Sequence, residues 1–354
     1  MMARLEEICA INMGQSPDSS TYNEDGNGLP FFQGNADFGE IYPAVRMWCS
    51  EPTKIAREKD ILISVRAPIG ALNIANCECC IGRGLAALTV NEDICAQEYL
   101  WHALSGKVDE LNSKGTGSTF KAINKKTLSE TEIPLPPIDE QRKIAAILDK
   151  VSDLIAKRQQ QLDKLDEMIT ARFMEMFGDC YTNPHNLPIE KWNNIFSTTT
   201  GKLDSNAAVE NGKYPFFTCS KETLRINTYA FDQEALLLAG NNAAGKYDVK
   251  YYCGKFNAYQ RTYVLSLKHD WSYALFRFQL EDKLGYLEQQ SLGGLTKYLT
   301  LKILNELEFI VPPKEEQDKF AAFVDQIEKT KTTVSHSLEK LETLKKALMQ
   351  EYFG

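Results

Sequence analysis

The chain has 354 residues, which at roughly 150 residues per domain allows about two domains, each large enough to bury its own core. Hydrophobic residues make up 43% and charged residues 25%; no stretch approaches the roughly 18 apolar residues of a membrane span, and the opening Met1-Met2-Ala3-Arg4 lacks a signal-peptide core, so membrane, secreted and disordered classes are excluded. A net charge of −8 argues against a simple basic nucleic-acid binder, and nine irregularly spaced cysteines fit reduced thiols in a cytoplasm better than a disulfide framework.

In chain order, residues 1–135 read as a mixed α/β domain of short strands. Ile61-Leu62-Ile63-Ser64-Val65 is a buried-strand run, Leu72-Asn73-Ile74-Ala75 alternates, and Asn23–Gly28 and Lys114–Thr119 carry the Gly, Asn and Ser of loops. Residues 136–178 read as one long helix. Pro136-Pro137 followed by Asp139 and Glu140 is a start signal, and Gly178 is a stop. Its apolar positions Leu148, Val151, Ile155, Leu162, Leu165 and Ile169 alternate three and four apart, the narrow seam of a paired helix. Residues 179–311 form a second mixed α/β domain, with the strand run Leu236-Leu237-Leu238-Ala239 and the alternating Tyr247–Tyr251. Residues 312–354 repeat the helix, with a seam at Val324, Ile327, Val334, Leu338, Leu341 and Leu348.

The two long helices are copies. Residues 135–178 and 311–354 align without a gap at 15 identities in 44 positions, from Pro136/Pro312, Glu140/Glu316 and Gln141/Gln317 to Phe177/Phe353. The preceding halves repeat more weakly: Leu29-Pro30-Phe31-Phe32 answers Tyr214-Pro215-Phe216-Phe217, Gly70 answers Gly245, and Lys121 answers Lys297. A repeat this long and present only twice is a duplicated domain. Chain order makes the helices pair antiparallel, as a rod with a globular domain at each end and a pseudo-two-fold axis.

Three motifs lead nowhere. Gly240–Tyr247 is one residue from a phosphate-binding loop, but Tyr247 stands where Ser or Thr is needed and a strand pattern follows. Cys77-Glu78-Cys79-Cys80 offers one Cys-x-x-Cys without further ligands, so no metal is expected. Asn183-Pro184-His185-Asn186 has the wrong third and fourth residues for an amino-methyltransferase motif. No catalytic residue is assigned.

With these features in place, the chain resembles the specificity (S) subunit of a type I restriction–modification system. The resemblance rests on Gly14-Gln15-Ser16-Pro17, Pro30–Gly34, Ser64–Gly70, Gly115–Thr119 and the two Pro-Pro-x-(Asp/Glu)-Glu-Gln helix starts. It implies an α+β fold with two target recognition domains reading separate parts of double-stranded DNA, joined by an antiparallel coiled coil that sets their spacing. It also implies that Glu140, Gln141, Glu316, Gln317 and the seam residues serve helix pairing and the docking of two modification (M) subunits. S-adenosylmethionine would belong to the M subunits, and ATP with Mg to a restriction (R) subunit, with no cofactor in this chain. Loop residues with base-reading or phosphate-binding groups are the candidate DNA contacts. In the first half they are Gln33, Asn35, Arg66, Arg83, Lys114, Ser118 and Lys121; in the second, Thr218, Ser220, Asn241, Asn242, Lys246, Gln260, Arg261 and Lys297. Arg83 and Arg261 fall at similar places after a strand. Two alternatives stand beside this reading: the specificity component of a system whose partner chain both cuts and methylates, and a helical scaffold that never touches DNA.

Overall fold

The computed structural model describes residues 1–117, 121–243 and 245–354. It divides into two compact units, Met1–Gln159 with His336–Gly354, and Gln160–Ser335.

In the first unit, strands β1 (Cys9–Met13), β2 (Leu29–Phe32), β3 (Ile61–Ser64), β4 (Leu72–Ile74), β5 (Cys79–Ile81) and β6 (Leu85–Val90) precede helix α1 (Gln97–Ser105). An antiparallel sheet runs β1-β6-β3-β4. Strand β3 reads as an unbroken apolar run because both its faces are covered. Ile61 and Ile63 face a core shared with Tyr99 and Leu100 of α1, while Leu62 faces Phe32 and Ile81 on the other side. Strand β2 lies parallel to β5, Phe31 opposite Cys80 and Phe32 opposite Ile81. After this domain comes helix α2 (Ile138–Phe177), which begins directly behind Pro136-Pro137 with Asp139 and Glu140 in its first turn, where carboxylates offset the helix dipole.

The second unit repeats the plan with β7 (Phe196–Thr200), β8 (Tyr214–Phe217), β9 (Phe231–Ala239), β10 (Val249–Ala258), β11 (Thr262–Leu267), helix α3 (Tyr273–Asp282) and helix α4 (Lys314–Phe353). β11 pairs antiparallel with β7 and β9, as β6 does with β1 and β3. β8 lies parallel to β10, Phe217 opposite Ala258, as β2 does to β5. One difference is visible. Strand β10 is continuous for ten residues where the first unit breaks into β4 and β5, so here the two sheets are fused into one of six strands.

The expected antiparallel helix pairing is present in both units. In the second, Asp166 meets Lys331 at 2.6 Å, while Phe173 and Phe177 further along α2 both meet Phe320, each with ring centroids 5.7 Å apart. One helix thus advances as the other retreats. In the first unit, Ile144, Ala145 and Leu148 of α2 share a core with Leu348, Met349 and Phe353 of α4. Two of the charges that interrupt the seams, Lys331 and Arg172, are paired. Burial works against the Lys331 ammonium, yet its ion pairs with Asp166 and Glu328 outweigh this and hold its pKa above the usual value. Arg172 bonds Glu175 at 2.7 Å and lies over the Phe323 ring.

One group of expected pairing residues has a different task. Gln141 is fully buried in its own domain: its Oε1 accepts from the Ala96 N–H at 3.0 Å, and its Nε2 donates to the carbonyls of Ile94 (3.1 Å) and Pro136 (2.8 Å). Gln317 does the same, accepting from the Ser272 N–H at 2.9 Å and donating to the Pro312 carbonyl at 2.8 Å. These glutamines clamp each helix start to the domain before it, so neither is available for helix pairing or a partner. Glu140 stays exposed and Glu316 half-buried.

Candidate nucleic-acid interface

In the first unit, the loop after β2, the turn after β3 and the turn between β5 and β6 converge on a cavity of about 400 Å³. Four of the expected DNA contacts line it: Gln33, Asn35, Arg66 and Arg83. Their backbones are held firmly. The Asp37 carboxylate accepts from the Gln33 N–H at 2.8 Å, the Arg46 guanidinium donates to the Ala36 carbonyl, and the Arg66 backbone bridges to Ala122. Gly82 and Gly84 flank Arg83 closely against this loop. A Cβ on Gly84 would lie 2.5 Å from the Gln33 carbonyl oxygen, and one on Gly82 2.9 Å from the Gln33 Cα. Among the described residues, by contrast, none of the four side chains has a hydrogen-bond or ion-pair partner. Rigid backbones carrying unspent forked donors and acceptors are what base recognition requires. Beside them Tyr22 stacks on Phe31 at 4.7 Å; burial pushes its phenol pKa up, and the nearby Arg83 charge opposes that rise.

Other first-half candidates are placed differently. Lys114 ends a helix (Val108–Lys114) rather than lying in a loop, and its ammonium is held 2.6 Å from Glu110. Lys121 sits on the segment that bonds Ala67, next to Arg66. Ser118 lies outside the described residues.

Backbone bonds give residue-by-residue counterparts in the second unit. The Gly82 N–H donates to Phe32 and the Tyr259 N–H to Phe217; Leu85 donates to Gly82 and Thr262 to Tyr259; Val65 donates to Gly84 and Gly240 to Arg261. Arg83 is therefore matched by Gln260, and Arg261 is matched by Gly84, which corrects the sequence pairing of Arg83 with Arg261. Arg66 bridges Ala122 as Asn241 pairs with Tyr298, and the N–H groups of Ile123 and Leu299 close the same bond to Val65 and Gly240. Arg66 is therefore matched by Asn241. Asn242 pairs with Lys297, and Lys246 is exposed beside Gly245, whose φ of +71° repeats the +91° of Gly70. Thr218 and Ser220 each accept a hydrogen bond from their own turn through the hydroxyl oxygen, and of the two only Ser220 is exposed. Thr218 is buried and accepts from the Ser220 N–H, while Ser220 Oγ accepts from the Glu222 N–H.

A larger cavity of about 770 Å³ in the second unit is lined by Glu234, Glu281, Asp318, Asp325 and Glu328 among others. Its carboxylates repel phosphate, and no candidate DNA contact reaches it.

A model of the type I restriction modification DNA specificity domain matches residues 1–167 and again 191–343. The chain belongs to this family. The double match of the specificity domain coincides with the duplication seen in sequence and strand register. A Methanocaldococcus jannaschii protein named for the MjaX type I restriction enzyme specificity subunit is 44% identical over 167 residues, 46% of this chain and 39% of its own length. The EcoDI specificity subunit of Escherichia coli is 35% identical over 162 residues, 44% of this chain and 35% of its own. Each match thus spans well under half of the relative. A solved type I S subunit from M. genitalium shares the fold across 100% of this chain and 96% of its own, with a TM-score of 0.70 at 15% identity.

The remaining motifs resolve into structure. The segment after Gly245 leads into β10 and not a helix, so the specificity domain holds no phosphate-binding loop there. Cys79 and Cys80 are buried on β5, and burial pushes the Cys79 thiol up to about 12, the opposite of what a metal thiolate needs. Among the described residues no group of three or more His, Cys, Asp or Glu is placed to hold a metal, and no helix is long and apolar enough to cross a membrane. Sequence reasoning missed Asp37, Gly82 and Gly84, which position the loop carrying Gln33 and Asn35. The spacing of Gly82-Arg83-Gly84 directly after an apolar strand was the available signal.

Proposed function

We propose that this chain is the cytoplasmic DNA-recognition subunit of a type I restriction–modification complex, reading a two-part, asymmetric duplex sequence. Residues 1–135 read one part and residues 179–311 the other, with 136–178 and 312–354 as the spacer. The observation that carries this reading is the cavity where Gln33, Asn35, Arg66 and Arg83 present unspent base-reading groups on a fixed backbone. Asymmetry follows because the matching positions carry different side chains. Each long helix has 40 residues, about 60 Å at 1.5 Å per residue, against about 34 Å for one turn of DNA. The chemistry is left to partners: two modification subunits supply S-adenosylmethionine-dependent methylation, and restriction subunits supply ATP- and Mg-dependent cleavage.

Charge supports a shared grip. The first variable half is strongly acidic and the second is neutral, while phosphate neutralisation normally dominates DNA affinity. Partners therefore supply much of the phosphate contact. The test is a salt-titrated binding assay of the isolated chain and of the chain with its modification subunits, each with and without Arg66→Ala. The complex binds its target far more tightly than the chain does, and Arg66→Ala weakens the target by about ten-fold or more while sparing duplexes already altered in the first half-site. Tight, specific binding by the isolated chain refutes the shared grip. A uniform loss at every sequence moves Arg66 to the phosphates.

A further inference from the structure

The internal duplication places two side chains of one unit at the same backbone positions as two of the other: Arg66 with Asn241, and Arg83 with Gln260. At both positions the first unit offers a guanidinium and the second a carboxamide. The exchange is chemically directed. An arginine fork donates twice and fits the O6 and N7 acceptors of guanine, whereas a carboxamide donates once and accepts once and fits N7 and N6 of adenine. Among the described residues Arg66, Arg83, Asn241 and Gln260 all lack a side-chain partner, and all are exposed or half-buried, so each has its full hydrogen-bonding capacity to give to a ligand.

We propose that these are two matched reading positions, and that their Arg-to-Asn/Gln exchange makes the first unit select guanine where the second selects adenine. The proposal rests on the DNA-reading function above and deepens it. It states which residues choose the base and in which direction.

The backbone explains why the position can be swapped without rebuilding the domain. In the first unit the reading residue sits between Gly82 and Gly84, and in the second between Tyr259 and Arg261. Yet the same three N–H···O=C bonds fix the turn in both, at 2.8–3.0 Å. Specificity at this place is carried by one exposed side chain on a conformation the sequence does not otherwise alter.

The experiment uses the full chain assembled with its modification subunits and maps methylated sites on random-sequence DNA. The variants are Arg83→Gln, Arg83→Lys and Gln260→Arg. Arg83→Gln replaces one required guanine by adenine in one half-site and leaves the other half-site and the gap unchanged, with a preference shift of about ten- to hundred-fold. Gln260→Arg makes the converse change in the other half-site. Arg83→Lys keeps the charge but loses the fork, and relaxes the guanine requirement. A wild-type half-site for the first unit that contains no guanine overturns the proposal. So do variants that lower methylation evenly at all sites with an unchanged consensus, the mark of phosphate contacts. A wild-type complex whose methylated sites do not depend on this chain at all refutes the DNA-reading function itself, which separates the two failures.

Discussion

Replacing Gln141 by alanine tests the clamp between helix and domain. The wild-type side chain is fully buried and makes three hydrogen bonds, two as donor to backbone carbonyls and one as acceptor from the Ala96 N–H. Each bond contributes about 1 kcal/mol net, and the orphaned Ala96 N–H costs a further fraction of its desolvation, so Gln141→Ala destabilises by about 3 kcal/mol. Gln317 makes two such bonds, and Gln317→Ala costs about 2 kcal/mol. Gln141→Glu is nearly isosteric but turns an oxygen toward two carbonyl oxygens, and it is expected to be no better than alanine. The assay is urea denaturation followed by circular dichroism, with the exposed Glu140→Ala as the control, expected within about 0.5 kcal/mol of wild type. A Gln141→Ala protein as stable as that control would show that the buried bonds do not hold the helix start.

Three further outcomes follow from the same structure. Phe320 is fully buried and touches the rings of Phe173, Phe177 and Phe278, so Phe320→Ala costs about 3–5 kcal/mol in urea unfolding of the second unit; a loss below about 1 kcal/mol contradicts the packed helix pair. Lys331→Ala removes a pair whose carboxylate partner Asp166 is 62% exposed, so its cost stays under about 1 kcal/mol and shrinks in high salt; a loss that salt does not change speaks against an ion pair. Burial pushes the Cys9, Cys79 and Cys95 thiols up to about 12, so in the native chain near pH 8 iodoacetamide labels the exposed Cys253 and spares these three, and mass spectrometry that finds Cys79 labelled first contradicts the buried β5.

Much of this architecture was legible because it was written twice. The Pro-Pro start and Phe-Gly end bounded each helix to within a few residues, and chain order alone required antiparallel pairing. The unbroken apolar runs at Ile61–Ile63 and Leu236–Leu238 gave β3 and part of β9, since a strand covered on both faces needs no polar alternation. Other features were hidden for physical reasons. The resemblance gives Gln141 and Gln317 to helix pairing and docking, and only the fold shows that each spends its amide on buried backbone groups. Arg83 and Arg261 looked equivalent because residue type was compared, whereas equivalence is set by the hydrogen bonds of the turn. Thr218 and Ser220 had suitable hydroxyls, but side chains this short bond readily to their own turn. Convergence of Gln33, Asn35, Arg66 and Arg83 on one cavity depends on contacts across about 50 residues of chain, which no local pattern encodes.

The most direct measurement is methylation mapping of cellular DNA from a host carrying this chain with its modification subunits, compared with the same host lacking the chain. Two unlike short sequences separated by a constant gap, present only with the chain, are the predicted result. A single contiguous target, two identical halves, or a pattern indifferent to the chain would contradict a duplicated reader with two different heads.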